Sequence, residues 1–126
     1  MGYSTQTQFK GTLRFDSEIT VPQIVKLDSI LGEDVREHPE WNVPKDLYLS
    51  YVDLETTNDM TGLKWNGSEK TYGMADLIAL VVRLMQEEFP DFSLSGTLFA
   101  QGDEVGDVYT IVVDKNNIRE VAFGDE

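Results

Sequence analysis

The sequence predicts an α+β domain, a mostly antiparallel sheet with two helices on one face, in the order β-α-β-β-α-β-β-β. Strict polar/apolar alternation opens the chain, apolar residues recur at helical spacing over 20–31 and 71–89, and β-forming segments joined by turn residues fill most of the rest. A split βαββαβ core of ferredoxin-like type with a C-terminal hairpin explains this order. A flatter α+β sheet with a different strand order is the rival.

From Tyr3 to Asp16, one face carries Tyr3, Thr5, Thr7, Phe9, Gly11, Leu13 and Phe15 and the other Ser4, Gln6, Gln8, Lys10, Thr12 and Arg14, the period of a half-buried strand. Thr20 then reads as an N-cap with Pro22 in the first turn. Val21, Ile24, Val25, Leu27, Ile30 and Leu31 form an apolar stripe before Gly32 stops the helix. Residues 33–46 hold two prolines and no sustained period, so they form a connection.

Leu47 to Glu55 and Thr61 to Trp65 should pair as a hairpin around Asn58-Asp59. Ser68 or Thr71 can cap the second helix. There Met74, Leu77, Ile78, Val81, Val82, Leu84, Met85 and Phe89 are apolar almost all round until Pro90, which makes this helix the centre of the core. Phe92 to Gln101 alternates again, and Val108 to Asp114 and Ile118 to Phe123 are joined through Lys115-Asn116-Asn117, where asparagine tolerates positive φ. Gly-Thr-Leu occurs at 11–13 and again at 96–98, an echo of the half-repeat or a coincidence.

A chain of 126 residues suits a single domain, 1–126, with a core that needs no covalent staple. It has no cysteine and a lone histidine, His38, which excludes thiol chemistry and multi-His metal sites; no metal and no cofactor are expected. With neither a leader pattern at the N-terminus nor an apolar run of about 18 residues, the expected location is cytoplasmic. The formal net charge of −13 opposes direct contact with nucleic acid or anionic membrane and favours a basic protein as partner.

LKWNGSEKTYGM (63–74) places Trp65, Glu69, Lys70 and Tyr72 at a corner between strand and helix. A phosphate-binding loop is excluded, because Ser68 follows the second glycine where lysine is required. Two readings remain: a binding corner, with Lys70 near a helix N-terminus, or a structural one, with Trp65 as plug and Asn66-Gly67 as turn. The loop 101–107 brings Asp103, Glu104 and Asp107 together, with Asp91 before it, but lacks the spaced frame of a calcium loop. Asp53 and Glu55 share a strand face and could pair for acid–base work, while His38 reads as an exposed loop residue. No catalytic residue is assigned.

LGEDVREHPEW (31–41), GLKWNGSEKTYGM (62–74) and PDFSLSGTLFAQGDE (90–104) together resemble a family of small uncharacterised proteins of bacteriophage and prophage genomes. No catalytic residue comes with that resemblance. It implies an accessory protein that binds and modulates a host protein, for example a defence inhibitor that offers carboxylates where its target expects phosphates. Residues 84–114 suit such a mimic, with no Lys or Arg and seven acids: Glu87, Glu88, Asp91, Asp103, Glu104, Asp107 and Asp114. A small-ligand-binding or regulatory domain and a small enzyme are the alternatives.

Overall fold

The computed structural model describes residues 7–102 and 108–122. The strands are β1 (Gln8–Lys10), β2 (Leu13–Phe15), β3 (Leu54–Thr56), β4 (Gly62–Trp65), β5 (Leu94–Gln101), β6 (Val108–Asp114) and β7 (Asn117–Ala122); the helices are α1 (Val21–Asp28) and α2 (Met74–Glu88). One antiparallel sheet runs β3-β4-β2-β5-β6-β7, with β1 also on β5. Because β1 and β2 are two halves of one interrupted strand, the inner order is that of a ferredoxin-like βαββαβ unit. The β6-β7 hairpin extends it past β5. Both helices pack on one face, touching each other and sharing one core with the sheet.

The break between β1 and β2 falls at Gly11-Thr12. The register stays continuous across it, since Lys10 pairs with Phe99 on one side and Leu13 with Gly96 on the other. Thr12 therefore stands opposite Thr97, and the two Gly-Thr-Leu triplets face each other head to tail. A Cβ on Gly11 would collide with the Thr97 carbonyl oxygen, and one on Gly96 with that of Thr12. Each glycine admits the other strand's threonine backbone. The repeat is thus a contact between neighbours rather than a half-repeat, in which the counterpart of the first strand is β4.

α1 begins as its sequence dictates: the Thr20 side chain accepts from Gln23 N–H while the Gln23 side chain accepts from Thr20 N–H, with proline in the first turn. Its apolar stripe is only partly used. Leu27 and Ile30 are buried, but Val21 and Val25 are 72% and 64% exposed and lie outside the core. α2 is central as expected, with Leu77, Ile78, Val81 and Met85 fully buried.

Three expectations change. α2 starts at Met74, after a left-handed Gly73 with no side-chain cap, because Thr71 is engaged elsewhere. The strand expected over Leu47 to Glu55 shrinks to Leu54–Thr56. The residues before it, with the 33–46 connection, instead fold over the outer side of α2. Val35, Trp41, Leu49 and Val52 are buried there, and Arg83 of α2 donates to the Trp41 carbonyl. Backbone bonds from Gly32 N to Val52 O and from Val35 N to Ser50 O close this wrap.

Candidate functional site

The corner 65–73 is held by a polar network. Trp65 Nε1 donates to Thr71 Oγ1 at 2.9 Å, and the indole meets Phe9 edge-on at 5.7 Å. Asn66-Gly67 makes the turn, Gly67 at φ +85°. Ser68 Oγ lies 2.9 Å from Asp53 Oδ1 and 2.7 Å from Asn66 Oδ1, which share its one proton, while Asn66 N–H donates to the Asp53 carbonyl. Asp53, buried at 3% exposure, thus holds the turn by side chain and backbone. Serine and carboxylate meet here with no imidazole beside them, so the contact positions a turn and activates no nucleophile.

Glu55 is exposed and paired with Lys64 Nζ at 3.5 Å, whereas Asp53, just before β3, is buried and bonded to Ser68. The two carboxylates expected to pair for acid–base work thus engage different partners. His38 departs from the exposed loop residue expected. Nδ1 lies 2.8 Å from Glu40, Nε2 3.0 Å from Glu33, and the ring stacks on Trp41 at 4.0 Å. Hydrogen bonds to Glu40 and Glu33 push its pKa above the usual imidazole value. Both ring nitrogens are occupied.

Glu69 and Lys70 lie exposed at the outer side of the corner, and half-buried Tyr72 meets Tyr48 edge-on at 5.0 Å. Tyr48 and Tyr51 are 66% and 48% exposed, large areas for tyrosines in a chain of this size. The Arg36 guanidinium sits over the Tyr51 ring at 5.6 Å from its centroid, within electrostatic reach of both phenols. It also holds Asp34 through Nε at 2.8 Å and Nη2 at 2.9 Å, lowering that carboxyl's pKa. Tyr48, Tyr51, Tyr72 and Arg36 therefore form one surface. Glu33, Glu37, Glu40 and Asp46 are exposed along the same wrapped segment.

The acidic band is only partly a band. Glu87 pairs with Arg83 at 3.4 Å and Glu88 with Lys26 at 3.5 Å, two bases that stand outside the 84–114 window. Asp91 and Asp114 are exposed, whereas Asp103, Glu104 and Asp107 lie outside the described residues. Among the described residues, no group of three or more His, Asp or Glu is placed to hold a metal ion, and no helix is long and apolar enough to cross a membrane.

Beside the tyrosines, Val43, Pro44, Leu47, Leu49, Ala79 and Leu80 line an apolar cavity of about 190 Å³, with Asp76 and Arg83 at its rim. That is below the roughly 300–1,000 Å³ of small-molecule pockets. It suits one apolar side chain. Compared with protein-family models, curated proteins and solved structures, the chain finds no match.

Sequence reasoning named Tyr72 but missed Tyr48, Tyr51 and Arg36. The available signal was the alternation in Leu47-Tyr48-Leu49, which turns Tyr48 away from the two leucines.

Proposed function

We propose that this chain is a cytoplasmic, non-enzymatic binding domain that docks a basic protein, with Tyr48, Tyr51 and Tyr72 as the contact centre and surrounding carboxylates as the rim. The observation that carries this is the exposure of Tyr48 and Tyr51 beside Arg36. Tyrosine and arginine dominate binding hot spots, because they bury large areas at small conformational cost. Glu33, Glu37, Glu40 and Asp46 around them select for positive charge. The 190 Å³ cavity next to Tyr48 would receive one apolar anchor.

The resemblance to phage proteins adds that the partner is a host protein, and the chain's acidity adds that it is one that otherwise holds phosphates. Glu87, Glu88 and Asp91 would then serve as an outlying acidic surface.

The test is affinity capture from host lysate by wild type, by Tyr48→Ser/Tyr51→Ser and by Glu87→Lys/Glu88→Lys, at low and moderate salt, with captured proteins identified by mass spectrometry. Wild type should retain a basic protein that salt or competing DNA releases, and the tyrosine variant should lose it. Retention that ignores the tyrosines, or capture of no basic protein, defeats this reading. Retention lost only with the glutamate pair would move the site to the end of α2.

A further inference from the structure

The two edges of the sheet end differently. At one end β3 offers three residues, Leu54–Thr56; at the other β7 runs for six, Asn117–Ala122, every one paired to β6 in an unbroken register and none of them proline. Lys115 and Asn116, at φ +49° and +72°, close the β6-β7 hairpin as a two-residue turn, so the backbone groups of Asn117, and with them those of Arg119 and Val121, bond to β6. The N–H and C=O groups of Ile118, Glu120 and Ala122 therefore point out of the sheet, and among the described residues no strand takes them.

Beside this edge lies a groove of about 430 Å³, with Ala79, Val82 and Gln86 of α2 on one side and Ile118 of β7 on the other. Ile118 and Glu120 stand opposite Val113 and Ile111, which are buried, so both side chains lie on the helix-bearing side of the sheet, whereas Arg119 and Val121 alternate to the other. At the rim Arg83 and Glu87 pair at 3.4 Å, and Gln86 donates to the Phe92 carbonyl. Glu120 is exposed and has no ion pair among the described residues.

We infer that β7 and this groove take an extended peptide of another protein as an added antiparallel strand, with a lysine or arginine opposite Glu120 and, two residues further along the peptide, an aliphatic residue opposite Ile118 that enters the groove. Outward donors and acceptors at two-residue spacing are matched by an extended chain and not by a helix, whose own backbone groups are already paired. Alternation places the side chains. Peptide residues opposite Ile118 and Glu120 share their side of the sheet, where one meets the Ala79 and Val82 surface of α2 and the other an unpaired carboxylate. A second copy of this chain fits poorly, because the longest antiparallel registers of β7 with itself set Glu120 against Glu120 or Arg119 against Arg119, and like charges directly opposite are destabilising. The carboxylate that deters self-pairing is the one that selects the partner.

The experiment selects displayed random heptapeptides on the full chain and then measures the enriched peptides, synthesised and labelled, by fluorescence anisotropy. Enriched sequences should carry Lys or Arg two positions before Leu, Ile or Val. Binding should be lost when the peptide is N-methylated at those two residues, whose N–H groups donate to β7. Glu120→Lys should weaken it about fivefold and favour the same peptide with Glu at the basic position. Ala122→Pro, which removes an outward N–H and no bond to β6, should weaken it too, while Tyr48→Ser/Tyr51→Ser should bind as wild type and so separate this edge from the tyrosine surface. Thermal melts of each variant confirm folding. The inference is overturned if no such peptide is enriched, if the N-methylated peptide binds equally well, or if affinity is indifferent to Glu120. Loss of binding in the tyrosine variant alone, or a dimer of the free chain that Ala122→Pro disperses in sedimentation, would overturn it as well, by giving the peptide another seat or the edge another occupant.

Discussion

The bond between Trp65 Nε1 and Thr71 Oγ1 decides whether the 65–73 corner is a structural joint. The perturbation is a double-mutant cycle, Trp65→Phe, Thr71→Val and both together. At 2.9 Å, with Thr71 only 7% exposed, the bond should contribute about 1 kcal/mol net, which either single change removes in full. The double variant should then be about 1 kcal/mol more stable than the sum of the two losses implies. Trp65→Ala removes the half-buried indole and its edge contact with Phe9 as well, and should cost about 2–3 kcal/mol. For 126 residues, 1 kcal/mol moves the melting point by about 4 °C, so Trp65→Ala should melt roughly 8–12 °C lower. Exposed Lys70→Ala should stay within about 0.5 kcal/mol of wild type. Urea unfolding followed by circular dichroism reads the five variants against wild type. A coupling below about 0.3 kcal/mol, or a Lys70→Ala loss equal to that of Trp65→Ala, would refute the structural account.

Ile78→Asp should abolish the cooperative thermal transition, since it places an unpaired charge at a fully buried position of α2; a normal melt would remove α2 from the centre of the core. Gly96→Ala should lose several kcal/mol, because φ is +153° and the added methyl meets the Thr12 carbonyl, whereas Gly32→Ala, with open space around it, pays only for its φ of +79°; equal melting points would contradict the close strand approach. In an NMR titration His38 should show a pKa above the ordinary 6.5, and Glu40→Gln should lower it. Its contribution to stability is complete below pH 6.5 and is lost as the pH rises through the raised folded value, so wild type and Glu40→Gln should converge in stability at alkaline pH.

What the sequence disclosed was whatever depends on near neighbours in the chain. Thr20, Pro22 and Gln23 set the start of α1 by themselves, and Lys115 and Asn116 take the positive φ of 49° and 72° that a two-residue hairpin demands. What it concealed depends on residues brought together from afar. Thr71 looks like a helix cap until Trp65 claims its hydroxyl, and Leu47 to Asp53 looks like a strand until Leu47 and Leu49 settle beside Ala79 and Leu80 of α2. Val21 and Val25 carry the right period, yet the short α1 turns them outward. The candidate surfaces follow the same division. Tyr72 stood in a conspicuous motif, but Tyr48 and Tyr51 sat in a stretch that read as sheet.

The wrap of residues 33–53 over α2 ties recognition to the integrity of the fold. Tyr48 and Tyr51 belong to the same segment that seals Leu49 and Val52 against the core, closed by the bonds from Gly32 to Val52 and from Val35 to Ser50. Peripheral segments of a fold can open locally at a free energy below that of global unfolding. A partner gripping the tyrosines would therefore suppress that opening by mass action, slowing amide exchange along the wrapped segment and in α2 beneath it. Conversely, Leu49→Ala, a change in the core just after Tyr48 and at the wall of the cavity, would weaken binding by letting the tyrosines stray, so affinity and conformational stability in this chain form a single linked equilibrium.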